Sequence, residues 1–190
     1  LNIPTNNVLT TVMISNNLIS GHLDFSNFNG AFPHFDLQCN NNQISSLNLT
    51  NVPLTSLYCR GNQLTSLNIS PLSSISILDC GNNLIDTLNL TSVFPTSSTC
   101  YLWCDSNQLQ HLDLSVCTTL KAVECQSNNL LSLDLRNGYN SQMSSSRIKI
   151  TNNPNLNCIS VDDENYSTNN WTNIDAHTIF LDDCASFVAL

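Results

Sequence analysis

The side chains able to do chemistry in this 190-residue chain include nine cysteines, four histidines and fourteen carboxylates. Nine is odd, so at least one thiol lacks a partner within the chain. Cys39, Cys59, Cys80, Cys104 and Cys125 recur at spacings of 20, 21, 24 and 21 residues. So regular a series runs along a line, whereas zinc needs ligands converging on a point, so no metal is expected. Stacked turns would bring the Cα atoms near disulfide range, but parallel Cβ vectors keep the Cβ atoms too far apart. These five are therefore expected as a ladder of small buried hydrophobes with reduced thiols. Of the cysteines off that line, Cys158 and Cys184 bracket a non-repeating tail, and a bridge between them would pin it. Cys100 and Cys117 fall within one turn and form a second candidate pair, the alternative being two more thiols. Either bridge implies an oxidising compartment.

Catalytic chemistry has little support. His22, His34, His111 and His177 are scattered, and no phosphate loop, serine elbow or H-E-x-x-H pattern occurs. No enzyme activity and no cofactor are expected. Asp162, Asp163 and Glu164, with Asp182 and Asp183, match no calcium-loop signature.

A line of cysteines requires a repeating scaffold. One turn reads Leu57-x-Cys59-x-x-Asn62-x-Leu64-x-x-Leu67-x-Ile69, and the same frame recurs around Asn42, Asn83, Asn107 and Asn128. Weaker copies flank it at Val12-x-Ile14-x-x-Asn17 and Ile148-x-Ile150-x-x-Asn153. Turns of this length cannot bury their apolar face alone and must stack. A period of two sends Leu57 and Cys59 inward and Tyr58 outward. The asparagines Asn42, Asn62, Asn83, Asn107 and Asn128 form a second ladder, each amide satisfying backbone groups where the chain leaves the strand. The spacing predicts a parallel sheet on one wall, short extended segments on the other and little helix.

This is the leucine-rich repeat pattern in its short form. The chain more narrowly resembles the bacterial repeats of roughly 21 residues common in surface and secreted proteins of Bacteroidetes-type bacteria. Residues 57–70, LYCRGNQLTSLNIS, and 153–162, NPNLNCISVD, carry that resemblance. It implies a leucine-rich repeat solenoid of about seven turns with a C-terminal cap, located outside the cell or on its surface. In such proteins a similar ending precedes a secretion-sorting domain; none is visible here, so a mature fragment, monomeric by itself, is expected. The expected division is a lead-in over residues 1–11, repeats over 12–161 and a capping segment over 162–190.

On such a scaffold the outward strand positions form columns. One reads Met13, Gln38, Tyr58, Asp79, Trp103, Glu124, Lys149, and its neighbour Ser15, Asn40, Arg60, Gly81, Asp105, Gln126, Thr151. These positions do not repeat, although the inward ones do. Tyr58, Tyr101 and Trp103 beside Arg60, Asp79, Asp105 and Glu124 are the candidate ligand-binding set. Aromatic faces among carboxylates suit sugar rings, and Tyr, Trp and Arg suit a protein hot spot. The alternative is that cross-strand neighbours simply cover one another. The connections vary in length at one edge, with Phe28, Phe32, Phe94, Tyr139 and Met143 expected as apolar loop tips.

Composition excludes further classes. Five Lys and Arg against fourteen Asp and Glu, a net charge of −9, cannot supply the phosphate contacts of a nucleic-acid binder. No apolar run is long enough for a spanning helix, so membrane insertion is not expected. Ice binding would call for identical rows of Thr, which the outward columns lack. The N-x-[ST] matches at Asn48, Asn68, Asn89, Asn165 and Asn170 read as chance in a chain with 30 asparagines. The expected role is a recognition module for a protein or glycan, with a structural spacer as the alternative.

Overall fold

Triplets such as Leu57-Tyr58-Cys59 form strands because alternate residues find an apolar interior on one side and solvent on the other. The computed structural model describes residues 9–28, 34–72, 75–90 and 99–186. Numbered in chain order, the first wall is a seven-stranded parallel sheet of β1 (Thr11–Met13), β3 (Phe35–Gln38), β5 (Leu54–Tyr58), β6 (Ile77–Asp79), β7 (Cys100–Trp103), β9 (Leu120–Glu124) and β11 (Ile148–Lys149). The second wall carries β2 (Ser20–Asp24) paired with β4 (Gln43–Asn48). It also carries a four-stranded sheet of β8 (His111–Asp113), β10 (Ser132–Asp134), β12 (Cys158–Ser160) and β13 (Ile179–Leu181). The chain is thus a leucine-rich-repeat-like parallel β-solenoid of about 7 turns. Helix is confined to α1 (Glu164–Asn170) and short 3-10 turns among the described residues.

The register follows the sequence frame. Leu57 pairs with Leu78, Leu78 with Leu102 and Leu102 with Val123, and all four are fully buried. Cys39, Cys59, Cys80, Cys104 and Cys125 are likewise fully buried and unbridged, so the thiol ladder is present. Burial pushes Cys39, Cys80 and Cys125 up to about 12 and Cys59 and Cys104 well above the usual thiol range.

Each ladder asparagine joins two turns. Asn107 Nδ2 donates to Cys104 O of its own turn (3.1 Å) and to Cys80 O of the turn before (3.0 Å), while its Oδ1 accepts from Ile85 N (3.0 Å). Asn42, Asn62, Asn83, Asn128 and Asn153 repeat the pattern. The residue before each ladder asparagine is left-handed, with φ of 54° at Asn41, 67° at Gly61, 52° at Asn82 and 55° at Ser106. Asn and Gly tolerate that region best, which accounts for part of the asparagine content. A further polar column closes the second wall. Asn48 Oδ1 accepts from Thr50 N and Oγ1, Asn68 Oδ1 from Ser70 N and Oγ, and Asp113 Oδ1 from Ser115 N and Oγ. The Thr or Ser two residues after Asn48 and Asn68 thus belongs to an Asx turn, in which its hydroxyl adds a second bond to the same oxygen.

The C-terminal segment supplies what a following turn would. Asp175 accepts from Asn152 N (2.8 Å) and Asn153 N (2.7 Å), groups that in earlier turns bond to carbonyls of the next turn. Asp163 caps α1 by accepting from Tyr166 N (2.9 Å), and Trp171 is buried against Phe180. Cys158 and Cys184 are bridged, holding the segment against β12.

Two expectations are corrected. Cys100 and Cys117 do not form a bridge: both remain thiols. Cys100 pairs in register with Leu120, and its Sγ lies 3.2 Å from Thr119 Oγ1. Cys117 sits earlier, in the turn where its carbonyl accepts from Leu120 N (3.1 Å). Nor are Phe28 and Met143 exposed tips; both are buried, Phe28 against Phe35 with ring centroids 4.3 Å apart. These two side chains turn inward because an apolar side chain gains by covering the open edge of the core. Phe32 and Phe94 lie outside the described residues.

Candidate functional site: the outward strand face

The strands bring the predicted residues together in register. Tyr58 pairs with Asp79, Asp79 with Trp103, and Trp103 with Glu124. Glu124 in turn pairs with Lys149, and their side chains meet at 2.9 Å. Tyr101 and Trp103, two residues apart on β7, stack with centroids 5.8 Å apart and ring planes at 11°. The Arg147 guanidinium lies 5.7 Å from the Tyr101 ring centre, extending the platform with a cation. Tyr58, Tyr101 and Trp103 are all half-buried, so part of each ring remains open to solvent.

Arg60 is the polar centre. Its Nε contacts Asp79 Oδ1 at 3.0 Å, and its Nη1 and Nη2 form a two-point pair with Asp105, with Nη1 to Oδ2 at 3.0 Å. To reach Asp105 the side chain crosses Gly81. A Cβ at Gly81 would collide with the Arg60 guanidinium where it now lies, so glycine is what leaves the path open. One guanidinium therefore serves two carboxylates, and the cluster keeps a net negative charge. Burial accordingly raises the Asp79 pKa despite the neighbouring guanidinium, and the hydrogen bond to Asp105 raises that of Arg60. Burial, with Asp36 and Asp79 nearby, also raises Tyr58. Gln126 Oε1, one turn from Asp105 in the same column, is buried with no hydrogen-bond partner. The face as a whole offers a flat aromatic surface beside a fixed acidic cluster, suited to stacking and hydrogen bonding.

The sequence frame did not reveal the concave ground. Two grooves, of about 630 and 520 Å³, both lie on the second wall and share His111 and Asp113. His111 Nδ1 is 2.8 Å from Ser132 Oγ, a contact repeated by His22 and Ser46 at 2.7 Å. Three of the five tail carboxylates have other partners. Asp162 accepts from Gly138 N and Asn140 N, Asp163 caps α1, and Asp183 lies 3.6 Å from Arg136. No group of three or more candidate metal ligands occurs among the described residues. No helix among the described residues is long and apolar enough to cross a membrane.

These features define a leucine-rich-repeat-like solenoid with a thiol ladder inside and a non-repeating strand face outside. No family model and no curated protein matches the chain. Among solved structures it is similar to the functional domain of InlJ from Listeria monocytogenes, a domain described as including a cysteine ladder. The match has a TM-score of 0.56 at 25% identity, and covers 85% of this chain and 40% of that one. The chain thus spans well under half the length of its structural neighbour.

Proposed function

We propose that the chain is a non-catalytic recognition module, working outside the cell or on its surface, that binds a protein or glycan through the strand face. The observation carrying this reading is the contrast between columns. Inward residues repeat turn after turn, whereas the outward ones change at every strand and gather a stacked Tyr101–Trp103 pair beside an Arg–Asp–Asp cluster. Half-exposed Tyr and Trp beside a fixed Arg have the character of interface hot spots. The bridge between Cys158 and Cys184 supports the extracellular reading, because disulfides persist in oxidising compartments.

The spacer reading has one observation in its favour. Arg60, Asp79, Asp105, Glu124 and Lys149 bond to one another and so staple neighbouring turns. Binding to a panel of glycans and extracellular proteins separates the two. Wild type binds a panel member, and Tyr58→Ala with Trp103→Ala removes that binding while leaving the melting transition in place. Absence of any ligand, or unchanged affinity in the double variant, would sink the strand-face proposal in favour of the spacer.

A further inference from the structure

The sequence holds two Asn–Gly steps, Asn29–Gly30 and Asn137–Gly138, of which the first lies outside the described residues. Such a step is chemically soft. A glycine nitrogen has no flanking side chain to hinder its approach to the amide carbon of the residue before it. Asn137–Gly138 sits in the connection after β10, where Gly138 has a φ of 73° that glycine adopts freely. Three features of that connection bear on the reaction.

The first is a base. Gly138 N donates to Asp162 Oδ1 at 3.0 Å, so a carboxylate is within reach of the proton that the nucleophile must lose. That carboxylate is fixed in place: its Oδ2 accepts from Asn140 N (3.3 Å), and Asp162 N donates to Asn140 Oδ1 (2.8 Å). The second is a polarised carbonyl. Asn137 Oδ1 accepts from Tyr139 N (3.0 Å) and Asn140 Nδ2 (3.3 Å), two donors aimed at the oxygen on which negative charge develops. The third is a leaving group that nothing holds. Asn137 Nδ2 is buried without a hydrogen-bond partner among the described residues, whereas the same atom of Asn107 ties two turns together. Asn137 itself is buried, but Gly138 and Asp162 are exposed, so water reaches the glycine side of the step.

From this geometry we infer that Asn137–Gly138 is a self-modification site, at which the chain cyclises and Asn137 loses its amide with Asp162 as catalytic base. Gly138 N attacks Asn137 Cγ and forms the new C–N bond of a five-membered imide, while its proton passes to Asp162. The Cγ–Nδ2 bond breaks, and the nitrogen leaves as ammonia with the proton that Asp162 returns. Water then opens the imide at either carbonyl, giving aspartate or iso-aspartate, and nothing is oxidised or reduced. The aspartate product keeps an acceptor for Tyr139 N and Asn140 Nδ2 and removes the unpaired donor. The iso-aspartate product adds a backbone methylene two residues before Tyr139, whose hydroxyl Lys121 of β9 bonds.

The test incubates the folded protein at neutral pH in heavy-oxygen water and reads the peptide containing residues 137 and 138 by mass spectrometry. The peptide gains the mass of an amide-to-acid change together with the oxygen label, and its iso-aspartate form separates by chromatography. Asp162→Asn keeps an acceptor for Gly138 N but removes the base, and slows conversion about tenfold or more. Asp162→Glu keeps a carboxylate and recovers part of the rate. The inference is overturned if residue 137 stays an amide, or if Asp162→Asn converts as fast as wild type or faster. Equal slowing in Asp162→Asn and Asp162→Glu would assign the effect to packing of the loop, and would equally overturn it.

Discussion

Replacing Asn107 with Ala tests how the turns are held together. Its amide bonds the neighbouring turn through Cys80 O and Ile85 N, and its own turn through Cys104 O and Asp105 O. The loss is unequal. Cys80 O keeps the Asn83 amide at 3.0 Å and Cys104 O keeps the Asn128 amide at 3.0 Å, because each carbonyl is shared by two ladder residues. Ile85 N–H, however, loses its acceptor in a buried setting. An orphaned buried donor costs about 1–3 kcal/mol and each of the two shared bonds about 0.5–1.5 kcal/mol net, giving a total of about 2–6 kcal/mol. Asn17 is the internal comparison, since it is exposed and bonds only to Ile14 O and Ser15 O of its own turn. Its replacement by Ala should cost under about 1 kcal/mol. Urea unfolding followed by circular dichroism and by fluorescence of Trp103 and Trp171 reads both variants. Equal losses at the two positions would refute the account of the ladder as an inter-turn clamp.

Thiol titration under denaturing, non-reducing conditions should find seven thiols, whereas the native chain, in which all seven are buried, leaves them unreacted. Five thiols on denaturation would mean that Cys100 and Cys117 are bridged after all. Removing the Cys158–Cys184 bridge, which closes a separation of 26 residues, should cost about 3 kcal/mol and lower the melting temperature by about 6–12 °C. An unchanged melting temperature would mean that the cap is held without it. Burial raises the Asp79 carboxyl above its ordinary value, so its contribution to stability is full at low pH and is lost as pH rises through the raised value. The Asp79→Asn variant, which keeps an acceptor for Arg60, should therefore gain on wild type as pH rises from below the ordinary carboxylate range through the raised value. Urea midpoints across that range check this, and a constant or reversed difference contradicts it.

The inward positions and both ladders were legible in the sequence because every turn imposes the same constraint at the same place. A strand residue facing the interior must be apolar, and a corner that leaves backbone groups unpaired must carry an amide; repetition then makes each demand visible as a column. The alignment of Tyr58, Asp79, Trp103 and Glu124 followed from the same register. The left-handed residue before each ladder asparagine and the Asx turns at Asn48, Asn68 and Asp113 were also encoded, as recurring Asn, Gly and Ser. Their signal was hidden in the general abundance of those residues.

What sequence spacing could not decide is whether side chains in neighbouring columns meet, and how closely adjacent backbones approach. Arg60 reaches Asp105 only because Gly81 between them has no side chain, a relation spanning two turns. Cys100 and Cys117 are near in sequence and their thiols interact electrostatically, yet they are unbridged. The division of the second wall into two sheets is likewise invisible to the pattern, since Leu67 and Leu88 keep their apolar spacing whether or not their backbones pair. Periodicity assigns a residue to a face, because that depends only on its place in the turn. Contacts across turns depend on distance and side-chain direction, and these exist only once the turns are stacked.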